Sequence, residues 1–365
     1  SQSHSHTAGN GSLMRTAPVA LAYLGDRDRI AAAARAVSNL THYDDDAGDA
    51  CVLWCLAIDH AVLVGEFDVR VGLPHLDESR RTRWEAHIAQ AEASAPVDFD
   101  RNVWVVHAFQ AAWSAIASTP EPELDPAAGS FPAQHFRLAL ENAVRAGNDT
   151  DTVAAIAGQL LGARWGSSAV PAVWRRLVHG QPGLTGTELA DRGLALARGG
   201  SDNLGWPGID RIDYAPSGAR GRLARHPHDN GVLLGDAAVL DDLPGDVDAI
   251  VSLCRVGRGT ATLVPRGSHL TVWLIDVDDP GANPNLDFVL ADAADAIAEL
   301  RGDGRTVLIH CVAAQSRTPS VAAAYAIRHL GREPVTALHE VCVALPDASP
   351  NRTLAAAVRR IASTE

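Results

Sequence analysis

Several shortages narrow what this chain can be. Five cysteines in 365 residues, an odd number without framework spacing, exclude a disulfide scaffold and predict reduced thiols in a cytoplasmic protein. No apolar run approaches membrane-spanning length and no signal peptide is visible, so neither a spanning segment nor a membrane partner is expected. Positive charge is in deficit: 31 Lys+Arg against 44 Asp+Glu leave a net charge of -13, which opposes non-specific binding to nucleic acid or an anionic membrane. No internal repeat is found. The opening Ser1-Gln2-Ser3-His4-Ser5-His6 is polar and reads as flexible, and two histidines make no metal site without further ligands. What the chain does have is bulk. With 47% hydrophobic and 21% charged residues it can bury large cores, and its length predicts two domains.

The two halves differ in pattern. Residues 1–200 are rich in alanine and helical periodicity: Ile30, Ala33, Ala34 and Val37 fall on one face, as do Val153, Ile156, Ala157, Leu160 and Leu161. This half is expected to be all-helical. Pro120-Glu121-Pro122-Glu123 reads as an exposed loop within it. Convincing strands appear only after about residue 230. Residues 201–228, from Ser201-Asp202-Asn203 through a Pro-, Gly- and Arg-rich passage, lack sustained periodicity and read as a linker. Residues 229–365 then form the second domain.

The strongest chemical signal lies at His310-Cys311-Val312-Ala313-Ala314-Gln315-Ser316-Arg317-Thr318. Before it, Arg305-Thr306-Val307-Leu308-Ile309 is a buried-strand run; after it, Ala323, Ala326, Ile327 and Leu330 recur at helical spacing up to Gly331. Successive N–H groups of Val312, Ala313, Ala314, Gln315, Ser316 and Arg317, backed by a helix N-terminus, can bind a phosphate dianion without a metal. The same field favours the thiolate of Cys311 as nucleophile. Arg317 offers a planar fork for two phosphate oxygens. Thr318 is placed to hydrogen-bond the sulfur as it leaves. The other cysteines, Cys51, Cys55, Cys254 and Cys342, sit in apolar runs and read as small buried hydrophobes.

A proton donor for the leaving oxygen is sought in Trp273-Leu274-Ile275-Asp276-Val277-Asp278-Asp279-Pro280. Together with Asp248-Ala249-Ile250-Val251-Ser252-Leu253 and the Cys311 loop, this segment resembles a dual-specificity (cysteine-dependent) protein phosphatase over about residues 230–345. In that family the general acid follows a short strand of alternating apolar residues. The resemblance therefore implies an α/β domain in which Cys311, Arg317, Asp279 and Thr318 are catalytic, with Ile275 and Val277 supplying the alternation. Asp278 is the alternative if the loop is shifted by one residue.

In the helical half, Gly147-Asn148-Asp149-Thr150-Asp151-Thr152 sets two carboxylates and a hydroxyl at a helix start. These are hard oxygen donors suited to magnesium, and equally ordinary caps. They keep company with Gly9-Asn10-Gly11-Ser12-Leu13-Met14-Arg15, Leu40-Thr41-His42 and Gly162-Ala163-Arg164-Trp165-Gly166. The ordered set resembles the ADP-ribosylglycohydrolase family over roughly residues 9–195. That resemblance implies an all-helical fold with a two-metal centre. Asp149, Asp151 and Thr152 would hold Mg2+, and Asn10, Gly11, Ser12 and His42 would line an ADP-ribose site.

Members usually open with a Gly-Asp segment bearing a glutamate and a Thr-Asp-Asp motif, and the sequence as given starts after both. Two function classes follow: a two-activity hydrolase acting on phosphorylated and ADP-ribosylated proteins, or a phosphatase with a non-catalytic ADP-ribose-recognition module. A phosphatase acting on a nucleotide or other small phosphate would use the same catalytic residues.

Overall fold

The computed structural model of the chain describes residues 8–361 apart from 204 and 266; the His4 and His6 segment lies outside the described residues. It divides into two compact units. The first comprises 1–121, 133–169 and 193–200, the second 122–132, 170–192 and 201–365.

The first unit is helical: α1 (Ala17–Ala22), α2 (Arg27–Asn39), α3 (Asp45–Val64), α4 (Glu78–Glu92), α5 (Val105–Ala117), α6 (Gln134–Val144) and α7 (Thr150–Trp165). Local signals set the ends. Asp26 caps α2 by accepting from the Arg29 N–H, Asp44 accepts from Asp46 at the start of α3, and Gly65 closes α3 at φ 81. At its centre the Trp54 and Phe109 rings meet edge-on at 5.1 Å, as do those of Trp84 and Phe109. On α2 the buried positions are Ile30, Ala34 and Ser38, whereas Val37 is exposed; the face is rotated by one residue from the apolar pattern.

Among the described residues α3 is long and apolar enough to cross a membrane, against the expectation of no such run, and 78% of that window is buried within the structure. It is the core helix. Asp49 and Asp59 interrupt its apolar run in sequence yet are buried, Asp49 because Arg35, Arg80 and Trp84 all donate to it.

The second unit is built on a sheet. Its first part holds α8 (Ala172–Leu177), a two-stranded pair β1 (His179–Gly180) and β2 (Leu184–Thr185), and the start of α9 (Gly186–Arg198). Residues 170–192 thus leave the helical unit to which the periodicity had assigned them. Then come β3 (Leu223–His226), β4 (Asp229–Asp236), β5 (Ala249–Ser252), β6 (His269–Thr271), α10 (Leu286–Gly302), β7 (Val307–Cys311), α11 (Arg317–Leu330), α12 (Pro334–Ala344) and α13 (Arg352–Arg360). The strand order is β3-β4-β7-β5-β6, with β3 antiparallel and the others parallel.

The supposed linker therefore contributes an edge strand. Ala224 pairs with Leu234 and Arg225 with Leu233, so ladder pairing rather than an apolar run fixes this segment. Val232, Leu234, Val251, Val307 and Ile309 pack on the face covered by α10 and α11, while Leu233, Ile250 and Leu308 face the other side with Val239 and Val247. This alternation places β7 at the centre and brings Cys311 to its C-terminal end, opposite Asp236 in the β4 register.

Candidate functional site

At the end of β7 the chain turns through residues 312–316 into α11. The Cys311 side chain is buried at the base of that turn. Ala314 adopts φ 57, a left-handed conformation rare outside glycine, and this reversal lets the loop curl. Among the described residues, no backbone N–H from Val312 to Ser316 donates to a protein acceptor, although the carbonyls of Val312, Gln315 and Ser316 each accept a backbone N–H. Backbone donors left unmatched beside a helix N-terminus form an anion cradle.

Arg317, the first residue of α11, is buried and reaches the segments that follow β5 and β6. Its Nη1 donates to the carbonyls of Leu253 and Leu274, each at 3.1 Å, and its Nε to Asp276 Oδ2 at 3.3 Å. Asn351 braces the arrangement: its N–H donates to Ser316 Oγ at 3.1 Å and its side-chain amide to Asp276 Oδ1 at 3.0 Å. Neither Asp276 nor Asn351 was among the residues expected from sequence. Three aspartates in four positions carry no internal signal that singles out one, and Asn351 acts across 35 residues.

Behind the nucleophile, Ser252 Oγ lies 2.7 Å from His310 Nε2 and 2.9 Å from His269 Nε2. Burial pushes His310 down to about 3, with His269 adding to the effect, and burial pushes His269 down to about 4. Both rings are therefore neutral at physiological pH. Burial also pushes the Cys254 thiol up to about 12, against the opposing charge of Arg317.

Two expectations need correction. The Thr318 hydroxyl donates to the Gly235 carbonyl at 3.3 Å, so it ties α11 to β4 rather than hydrogen-bonding the sulfur. Strand β6 ends at Thr271, and Ile275 and Val277 are exposed; no alternating strand leads to the acidic loop. That loop is held by Asn283, whose side chain bonds both the N–H and the carbonyl of Ile275. Asp279 is exposed and accepts from the Gly281 N–H at 2.9 Å. Asp278 pairs with Arg352 at 2.7 Å and accepts from Thr353, and the Arg352 bond holds its carboxyl below the usual carboxylate range.

The helical unit has its own cluster. The His42 ring lies over the Gly9-Asn10-Gly11 turn so closely that a Cβ on Gly11 would sit 3.0 Å from it, and one on Gly9 3.4 Å. Burial, then Arg15, lowers the basicity of His42. Asn10 donates to the Asn102 carbonyl at 2.7 Å and to Asp149 Oδ2 at 2.6 Å. Asn102, unmarked by the sequence, also accepts from the Asp149 N–H and donates to the Gly147 carbonyl, fixing the turn before α7. Ser12 is buried and accepts from Ser38. The Gly9–Gly11 turn and His42 thus meet, Asn10 links the turn to Asp149, and the Ser12 side chain is turned to Ser38 and Cys51.

The cation donor set is incomplete. Asp149 sits at the N-cap of α7 but its side chain makes no capping bond and accepts from Asn10 instead, Asp151 is exposed in the first turn, and the Thr152 hydroxyl lies 3.9 Å from the Met14 sulfur. No group of three or more His, Cys, Asp or Glu side chains able to hold a metal occurs among the described residues. Two carboxylates and a hydroxyl fall short of the six oxygens magnesium demands unless water supplies the rest.

The ADP-ribosylglycohydrolase family model matches residues 1–203, more than half of the sequence. The chain belongs to the ADP-ribosylglycohydrolase family. No curated protein matches this family member. Solved structures similar to it include human DUSP28, at 24% identity over 39% of this chain and 94% of that one with a TM-score of 0.33. A mouse putative dual specificity phosphatase complexed with zinc tungstate is 24% identical over 39% and 87%, with a TM-score of 0.32. OH1 from the Orf virus, a tyrosine phosphatase, is 20% identical over 40% and 87%, with a TM-score of 0.30.

Proposed function

We propose that the sheet-based unit of this ADP-ribosylglycohydrolase family member is a cysteine-dependent phosphatase acting on phosphomonoesters, with phosphoproteins as its substrate class. The carrying observation is the loop from Val312 to Ser316, between Cys311 and Arg317, whose N–H groups lack protein acceptors among the described residues. In the first step the Cys311 thiolate attacks phosphorus. An S–P bond forms, the P–O bond to the leaving group breaks, and Asp279 gives that oxygen its proton. In the second, the Asp279 carboxylate takes a proton from water as its oxygen attacks phosphorus, releasing inorganic phosphate and restoring the thiolate.

Asp279 suits this role better than its neighbours. Asp278 is engaged by Arg352 and Thr353 and Asp276 by Arg317 and Asn351, whereas Asp279 bonds only the adjacent turn. Cys311→Ser should abolish aryl phosphate turnover with the fold intact, and retained turnover would overturn the reading. A thiolate nucleophile also fits a reducing, cytoplasmic setting.

For the helical unit we infer action on ADP-ribosylated targets, with two forms. Removal of ADP-ribose needs Mg2+ at Asp149, Asp151 and Thr152, and since that set is incomplete no step is drawn through the ion. The meeting of the Gly9–Gly11 turn with His42 favours the second form, recognition of ADP-ribose without cleavage. Calorimetric titration with ADP-ribose, with and without magnesium, separates them: binding that needs the metal and is lost in Asp151→Ala supports the hydrolase. Metal-independent binding supports the recognition module, and no binding refutes both.

A further inference from the structure

Strand β6 is the last in the order β3-β4-β7-β5-β6, so its outer carbonyls have no strand to pair with. The short helix α8 serves them instead. Arg176 Nε donates to the Gly267 carbonyl at 3.0 Å, just before β6, and Arg175 Nη1 to the Thr271 carbonyl at 2.8 Å, at its end. The same helix grips α10. The Ala172 N–H donates to both oxygens of Asp292, each at 3.0 Å, and Arg175 Nη2 stands 3.6 Å from Asp292 Oδ2. Ala172 itself is buried in the core that holds α10 and α11.

The loop that carries Asp279 leaves β6 immediately after Thr271 and enters α10 at Leu286. Arg175 therefore holds the strand before the loop with one nitrogen and the helix after it with another, a division that a planar fork allows. Its side chain and that of Asp292 keep only 18% and 13% exposure. Arg317, Asn351 and Arg352 hold the inner side of the loop, so Arg175 fixes the base from which those contacts are made. We propose that Arg175 is a positioning residue of the phosphatase site: by clamping Thr271 to Asp292 it sets where Asp279 stands, and proton donation to the leaving oxygen depends on a helix within the segment that matches the ADP-ribosylglycohydrolase family model. The inference rests on the phosphatase reading of the Cys311 loop. A small displacement of a proton donor costs rate without loss of fold.

The test compares kcat/KM of the full chain for phenyl phosphate, whose leaving oxygen needs a proton, and p-nitrophenyl phosphate, whose leaving group needs one far less. Arg175→Met combined with Asp292→Asn removes the clamp without stranding a buried carboxylate. Arg175→Lys keeps the charge and loses the fork, and Arg176→Met cuts the neighbouring bonds of the same helix as a structural control, with circular dichroism confirming each fold. Both Arg175 variants should lose about tenfold on phenyl phosphate, part of the roughly 10²–10⁴-fold a general acid supplies, and less than about twofold on p-nitrophenyl phosphate. Arg176→Met should leave the ratio of the two substrates unchanged, and in an Asp279→Ala background the Arg175 variants should change it no further. A ratio unmoved in the folded Arg175 variants, moved equally by Arg176→Met, or moved again without Asp279 would overturn the proposal and leave the phosphatase reading standing. Wild-type turnover that is absent, or that survives Cys311→Ser, would instead overturn that reading and the proposal with it.

Discussion

Asp236 offers the sharpest test of how the cradle is supported. It ends β4, is fully buried, and lies opposite Cys311 in the register. Its Oδ1 accepts from the N–H groups of Gly221 and Ala238, each at 3.0 Å, and its Oδ2 from those of Arg220 at 2.8 Å and Arg222 at 3.0 Å. One carboxylate thus organises the 220–222 turn, directly after which Leu223 enters the ladder opposite Gly235. Asp236→Asn keeps the shape but not the chemistry: whichever way the amide is turned, its NH2 faces two N–H donors. Two bonds to a charged acceptor are lost at ~1.5–3 kcal/mol each, so the sheet unit should lose at least about 3 kcal/mol. A chain of two units need not unfold in one step. The assay is therefore hydrogen exchange at the β4 and β7 amides, where global opening reports the stability of this unit. Protection unchanged to within about 1 kcal/mol would refute the reasoning, because water or a shifted turn would then be satisfying the donors.

Other consequences follow from the same geometry. Asp279→Ala should slow aryl phosphate cleavage most for poor leaving groups and least for good ones; a larger effect from Asp278→Ala would place the proton donor one residue earlier. Gly11→Ala, whose Cβ would meet the His42 ring at 3.0 Å, should weaken ADP-ribose binding in a calorimetric titration, whereas Gly9→Ala, at 3.4 Å, should be tolerated; the reverse order would contradict the placement of His42. Burial holds His226 and His269 at about 4 and His310 at about 3, against an ordinary 6.5. Between about pH 6.5 and 4 the unfolded chain therefore binds more protons than the folded one, so stability falls as pH falls. Urea unfolding across that range should show this slope and a shallower one in His269→Gln; a flat profile would count against neutral buried rings.

Much of this was readable because strong local patterns agreed with one another. The apolar run into Cys311, the spacing to Arg317 and the helical periodicity beyond it mark a strand, loop and helix that the structure contains. The α7 face read from Val153 to Leu161 is the buried one. What stayed hidden works through partners distant in sequence. Leu223–His226 is an edge strand with alternating exposure and no apolar run, so only its pairing with β4 reveals it. Asn102 and Asp236 serve backbone groups, which leave no mark on composition, and Asn351 bonds a carboxylate 75 residues away. Asp276 and Asp279 differ only in where the loop after β6 turns, and that turn is set by Asn283.

The central claim is that Cys311 carries phosphate between two chemical steps. Rapid acid quench of the full chain during turnover of an aryl phosphate, followed by peptide mass spectrometry, tests it directly. The account predicts phosphate on the peptide containing Cys311, formed in a burst with the first turnover and absent in Cys311→Ser. Turnover without that adduct, or undiminished turnover in Cys311→Ser, would contradict it.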